Sequence, residues 1–182
     1  MGNCQNRPAR SASSEELNTA LKNKATTVVI QLLLNKGAIP NAHTLNYALS
    51  CKNPIETIQL LLDRGVTFNQ DTLNWALIHN HPIATIQLLL ARGAIPCEDT
   101  LFFALNYNHP IETIHLLLDR GATPNQDTLN NALILNKPTE FIQLLLDGGA
   151  IPNEETLYKA LVMNYPTATI DLLLMHGAAE LM

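Results

Sequence analysis

Apolar residues recur along this chain on two scales. Locally they fall three and four apart. Leu45, Ala48 and Leu49 share one side of a helix, and Ile58, Leu61 and Leu62 share a side of the next, with Leu60 widening the apolar arc. Over the whole chain, leucine triplets begin at residues 32, 60, 88, 116, 144 and 172, a constant step of 28. Ala20, Ala48, Ala76, Ala104, Ala132 and Ala160 keep the same step and let helices approach closely. One helix pair cannot bury that much apolar surface by itself, so the copies must stack. The expected fold class is all-α: an α-solenoid of six stacked helix-turn-helix repeats over residues 13–182, behind a flexible N-terminal arm of residues 1–12. At ordinary helix spacing six copies extend roughly 50–60 Å.

Punctuation residues carry the same period. Gly37, Gly65, Gly93, Gly121, Gly149 and Gly177 stand 28 apart, and Pro54, Pro82, Pro110, Pro138 and Pro166 form a second column. Glycine supplies the left-handed residue that ends the second helix, and proline suits the first position of that helix, where a missing N–H costs nothing. Ser13, Asn41, Asn69, Asn125 and Asn153 stand where the first helix begins, with Cys97 the single departure, and their side-chain oxygens can cap its free N–H groups. Ser13 with Glu16 makes a capping box. Asn80, Asn108, Asn136 and Asn164 mark where the first helix ends.

Composition narrows the function. Of 182 residues 47% are hydrophobic and 15% charged, so the chain can build a continuous core. Eleven Lys and Arg against 16 Asp and Glu leave a charge of −5, which argues against a broad nucleic-acid footprint. Cys4, Cys51 and Cys97 are too far apart for a metal clip and odd in number, so a reducing, cytoplasmic setting is expected. No apolar run is long enough to cross a membrane.

DTLNWALIHNHPIATIQLLLARGAIP and its sister copies resemble ankyrin repeats, in which a TPLHLAA-like first helix precedes a second helix ending LLL-x-x-GA-x-x-N. LLLDRGATPN at 116–125 matches that ending most closely, and LLLNKGAIPN at 32–41 nearly as well. The Thr-Pro pair of the family is replaced by Asp-Thr or Glu-Thr, and a 28-residue step leaves little room for a projecting β-hairpin finger. The resemblance implies protein–protein recognition rather than catalysis. Short Asn- and Leu-rich arrays of this kind also resemble those of bacterial effectors delivered into host cells.

On a solenoid the outward columns are free to diverge, so varied large residues there are the informative ones. The outward columns of the first helices hold Tyr47, Trp75, Ile78, Phe102, Phe103, Ile134, Tyr158 and Val162, rimmed by Asn46, Asn74, Asn130, Asn131 and Lys159. This row is the candidate partner-binding strip. The ankyrin pattern places the residue matching Tyr47 and Trp75 inside the repeat, so that column, with Phe103, is either strip or filler. Acids on the second helices (Glu56, Asp63, Glu112, Asp119, Glu140, Asp147, Asp171) are expected to be a solvated face. Ala178, Ala179, Leu181 and Met182 form an edge expected to fold back on the last helix pair or to join another copy or a partner.

Catalytic patterns are missing: no phosphate loop, no HExxH and no nucleophile elbow. His81 and His109 share a column one repeat apart, too far for a common zinc ion, so neither metal nor cofactor is expected. Cys97 lies beside Glu98 and Asp99, which oppose thiolate formation. Gly2 and Cys4 are candidate lipidation sites beside Arg7 and Arg10, although Asn6 stands where Ser or Thr is preferred. The two functional expectations are therefore a scaffold that binds a protein partner, and a membrane-tethered adaptor or effector whose acylated arm sets its location.

Overall fold

A computed structural model describes residues 11–178 other than Gln70 and Glu98. The described residues form twelve α-helices and no strand. The helices are α1 (Ser14–Lys22), α2 (Thr27–Asn35), α3 (Ala42–Ser50), α4 (Ile55–Asp63), α5 (Thr72–Ile78), α6 (Ile83–Ala91), α7 (Thr100–Asn106), α8 (Ile111–Asp119), α9 (Gln126–Ile134), α10 (Thr139–Asp147), α11 (Glu154–Val162) and α12 (Thr167–Met175). Odd-numbered helices stack on one another in chain order, and each packs against the even-numbered helix that follows it. This is the all-α repeat solenoid that the period predicts.

Each helix is seven or nine residues long, too short to persist alone in water, so tertiary burial must hold it. Leu45, Ala48 and Leu49 are buried in the first helix of the second copy, as are Ile58, Leu61 and Leu62 in its second helix. The same registers are buried in the third copy by Leu73, Ala76, Leu77, Ile86, Leu89 and Leu90. The core is therefore a strip running the length of the array, and each buried leucine contributes about 1.5–3 kcal/mol. Second helices touch along the threonine register, where Thr57 Oγ1 meets Thr27 Oγ1 at 3.1 Å and Thr169 meets Thr139 at 2.8 Å. Phe141 breaks this register: its ring replaces the small threonine, Lys137 Nζ lies 5.5 Å from the ring centroid, and the contact between α8 and α10 is thinner than at the other junctions.

Caps form largely as the columns predict. Ser13 Oγ accepts from the Glu16 amide at 3.1 Å while Glu16 accepts from the Ser13 amide, and Asn41 and Asn153 make the equivalent pairs with Thr44 and Thr156. In the third and fourth copies Asp71 and Asp99 precede the helix without capping it, and Asn69 Oδ1 instead accepts from the Thr72 hydroxyl at 2.7 Å. The proline column lies at the N-cap, one residue earlier than predicted, with ψ of 150–159° leading the chain into the helix. Asn80, Asn108, Asn136 and Asn164 hold φ between 50° and 55°, the left-handed turn that separates the two helices, and Gly93 at φ 100° ends α6.

One column has a role that period alone did not suggest. Asn53 Nδ2 donates to the Leu21 carbonyl (3.1 Å), the His81 and His109 rings meet the Leu49 and Leu77 carbonyls through Nε2 (2.9 and 3.0 Å), and the Tyr165 hydroxyl lies 3.2 Å from the Leu133 carbonyl, sharing its proton with the Lys137 carbonyl at 3.0 Å. Each of these contacts with a leucine carbonyl spans 32 residues and falls at the end of the preceding first helix. Lys137 in the same register turns instead to Asn108 Oδ1 at 2.6 Å. A carbonyl can only accept, so the His81 and His109 rings carry their proton on Nε2. Burial pushes the Tyr165 hydroxyl up to about 12 and the Lys137 ammonium below its ordinary value.

Burial also holds His81 below its ordinary 6.5; the Leu49 carbonyl pulls in the other direction, and His79, Lys52 and His109 add to the lowering. The stability that follows is present in full above pH 6.5. It is lost as pH falls from there toward the depressed folded value, because the unfolded chain takes up a proton that the native ring refuses. Thermal melts across that range are expected to show the loss in the native protein and a flatter profile in His81→Asn, which restores the residue found at position 53. His81→Ala leaves the Leu49 carbonyl without its bond and is expected to cost about 1–3 kcal/mol.

Candidate functional site

The strip predicted on the first helices is partly exposed and partly core. Trp75 on α5 keeps 37% of its surface, with its indole stacked on His79 at 5.6 Å and 3° between planes. Phe102 on α7 is 41% exposed and meets the half-buried Phe103 edge-on at 5.9 Å. Ile134 on α9, with Tyr158 and Val162 on α11, is more open still. Tyr47 and Phe103 pack against the core, Ile78 is half-buried, and Asn131 and Lys159 are half-buried beside them. Lys159 is paired with Glu155, four residues earlier in α11. The ambiguous column therefore splits: Trp75 reaches solvent, whereas Tyr47 and Phe103 serve mainly as filler.

Three asparagines expected on the rim are not there. Asn46, Asn74 and Asn130 are buried between consecutive first helices. Asn46 Nδ2 donates to Asn69 Oδ1 at 3.0 Å and its oxygen accepts from the Thr72 hydroxyl, while Asn74 reaches Cys97 and Thr100 in the same way. Their column faces the next copy, so asparagine fits as a small polar bridge. Phe102 and Tyr158 occupy that register with rings and remain exposed.

A neighbouring column extends the strip. Tyr107, Leu135 and Met163, each just after its first helix, are exposed and follow the half-buried Cys51 and His79 in register. This column varies between copies as much as the three predicted ones, and that variation was its only signal. The second-helix acids are all exposed, as expected; Asp63 pairs with Arg92 at 2.9 Å. Such an exposed pair contributes little to stability. Cys97 is a half-buried thiol that accepts the Asn74 amide at 3.4 Å in place of a capping asparagine.

The described residues offer limited chemistry. A cleft of about 280 Å³ between the starts of α4 and α6 is lined by Lys52, His79 and His81 with no carboxylate, and His81 is committed to the Leu49 carbonyl. No group of three or more His, Cys, Asp or Glu side chains among the described residues is placed to hold a metal ion, and no helix among them is long and apolar enough to cross a membrane. Gly2 and Cys4 lie outside the described residues, as do Ala179, Leu181 and Met182 of the predicted edge, whose remaining member Ala178 is buried.

Fold and surface together define an all-α helical-repeat solenoid with an apolar row along its first helices. In comparisons with known proteins, neither a family model nor a curated protein matches the sequence.

Trp75 is the one tryptophan of the chain, so its emission reports on this row directly. Native fluorescence is expected to be quenched by iodide, and His79→Ala to raise the quenching constant about twofold by uncovering the second indole face. A blue-shifted emission that iodide cannot reach would place Trp75 in the core.

Proposed function

We propose that this chain is a non-enzymatic, ankyrin-like scaffold that binds a protein partner along the first-helix face of its solenoid. The observation that carries this reading is the row formed by Trp75, Phe102, Ile134, Tyr158 and Val162. These side chains are large, apolar and exposed on successive copies, while the residues at their feet already complete the core. A soluble array gains nothing in stability from such a row, and interaction surfaces concentrate their energy in aromatic anchors of this kind. An acidic chain of this charge does not suit broad nucleic-acid binding, and the reading invokes no cofactor.

A second reading differs in location rather than in the array. Gly2 after Met1, with Cys4, would allow acylation of the arm, and the chain would then act as a membrane-tethered adaptor or as an effector delivered into a host cell rather than free in the cytoplasm.

Two experiments address these readings. Proteins retained from cell extract by the native chain are compared with those retained by Phe102→Ala with Ile134→Ala, and by Glu56→Ala with Glu112→Ala as a second-helix control. Loss of two anchors is expected to weaken retention by tenfold or more, at about 1–2 kcal/mol each, with the control unchanged. Equal retention by all three would end the strip reading. Gly2→Ala expressed in eukaryotic cells, with its intact mass compared to the native chain, shows whether the arm carries an acyl group.

A further inference from the structure

Among the described residues, the first and the last copy each present one half of the repeated interface without the neighbour that fills it elsewhere, and the inner contacts identify the residues of each half. Between second helices, Thr57 reaches back to Thr27, and Arg64 and Arg92 reach back to Asn35 and Asp63. In the first copy the residue in register with Thr57 is Val29 and the one in register with Arg64 is Lys36; in the last copy Met175 is in register with Asp63. Val29 and Leu32 therefore belong to the head half. Met175 belongs to the tail half, with Leu161, which shares the register of the fully buried Leu49, Leu77, Leu105 and Leu133.

On their second helices both halves are apolar and open, whereas on the first helix the head presents the exposed Glu16 in the register of the buried Thr44, Thr72 and Thr100. Leu161 is 48% exposed and Met175 81%, and at the head Val29 and Leu32 are 41% and 53% exposed. End copies that keep an array monomeric carry polar residues on their outer sides. On the second helices the change runs the other way: valine at 29 replaces the threonine of positions 57, 85 and 113, and methionine at 175 replaces the aspartate of 63, 119 and 147. The end copies also differ in the sign of their net charge: the first sets Lys22, Lys24 and Lys36 against two glutamates, whereas the last sets Glu154, Glu155, Asp171 and Glu180 against one lysine.

We infer that the tail face of one molecule docks on the head face of a second copy, continuing the solenoid across the junction in its own 28-residue register. Met175 then lies under the aliphatic stem of Lys36, as Asp63 lies under Arg92, and Thr167 faces Val29 as Thr27 faces Thr57. The contact is heterologous, so it leaves a free half at each end and produces open chains of molecules rather than a closed dimer. It is independent of any partner on the first-helix strip.

Sedimentation velocity of the full chain from micromolar to millimolar concentration tests this. The native protein is expected to sediment faster as concentration rises. Leu32→Glu blocks the head and Leu161→Glu the tail, both on half-exposed side chains, with circular dichroism confirming that each variant keeps its helices. Met175→Lys, which opposes Lys36, repeats the tail block without touching the core. Each variant alone is expected to remain monomeric, and an equimolar mixture of Leu32→Glu with either tail variant to form a one-to-one dimer and nothing larger, since only one intact head and tail can meet. A native chain that stays monomeric throughout, a single-face variant that associates like the native chain, or a mixture that stays monomeric would each overturn the head-to-tail contact.

Discussion

The structure depends on a mismatch between helix length and helix stability. Nine residues make fewer than three turns, and a helix that short gains too few internal bonds to offset the cost of nucleating it. Leu45 and Ile58 become buried only because α3 and α4 lie between two further pairs. Each copy is thus both a guest and a wall for its neighbours, and the strict step of 28 residues keeps every wall in the right place. Stability in such an array is close to a sum over neighbouring interfaces.

Burial of leucine is non-directional and would tolerate sliding; polar contacts between copies make the register specific. The bonds from Asn53, His81, His109 and Tyr165 all reach one residue type in one place, the carbonyl of a leucine at the end of the previous first helix. A slip of one residue would leave both the donor and the carbonyl buried without partners. Three kinds of side chain serve, because the position needs only a donor of sufficient reach. The asparagine bridge from Asn46 to Asn69 and Thr72 does the same on the other side of the first helices. Where this bridge gives way to Phe102 and Tyr158, the rings turn outward and supply the proposed binding row with two of its members.

Much of this was legible in the residues. The columns of Leu, Ala, Gly and Pro dictated helix number, pairing and stacking, because each reflects a local requirement that repeats without interference. The site was less legible. A column such as Asn46 lies on the helix side away from Leu45, yet the next copy covers it, and one-helix periodicity does not contain the direction of stacking. Trp75 and Tyr47 share a register and differ in exposure, which depends on how each ring turns and not on its position. The carbonyl-binding column escaped notice because Asn, His and Tyr look unrelated until a neighbouring helix end supplies their common acceptor.

Modularity is the claim on which everything else rests, and excision of one full step tests it most directly. Removing residues 85–112 joins Ala84 to Thr113 and leaves every remaining column in register. The shortened chain is expected to keep the same helicity per residue and one cooperative melt, at a lower temperature for the loss of one interface. Removing only residues 85–98, half a step, is expected to abolish cooperative melting. If both deletions unfold the chain alike, or if neither does, stacking in a fixed register is not what holds it together.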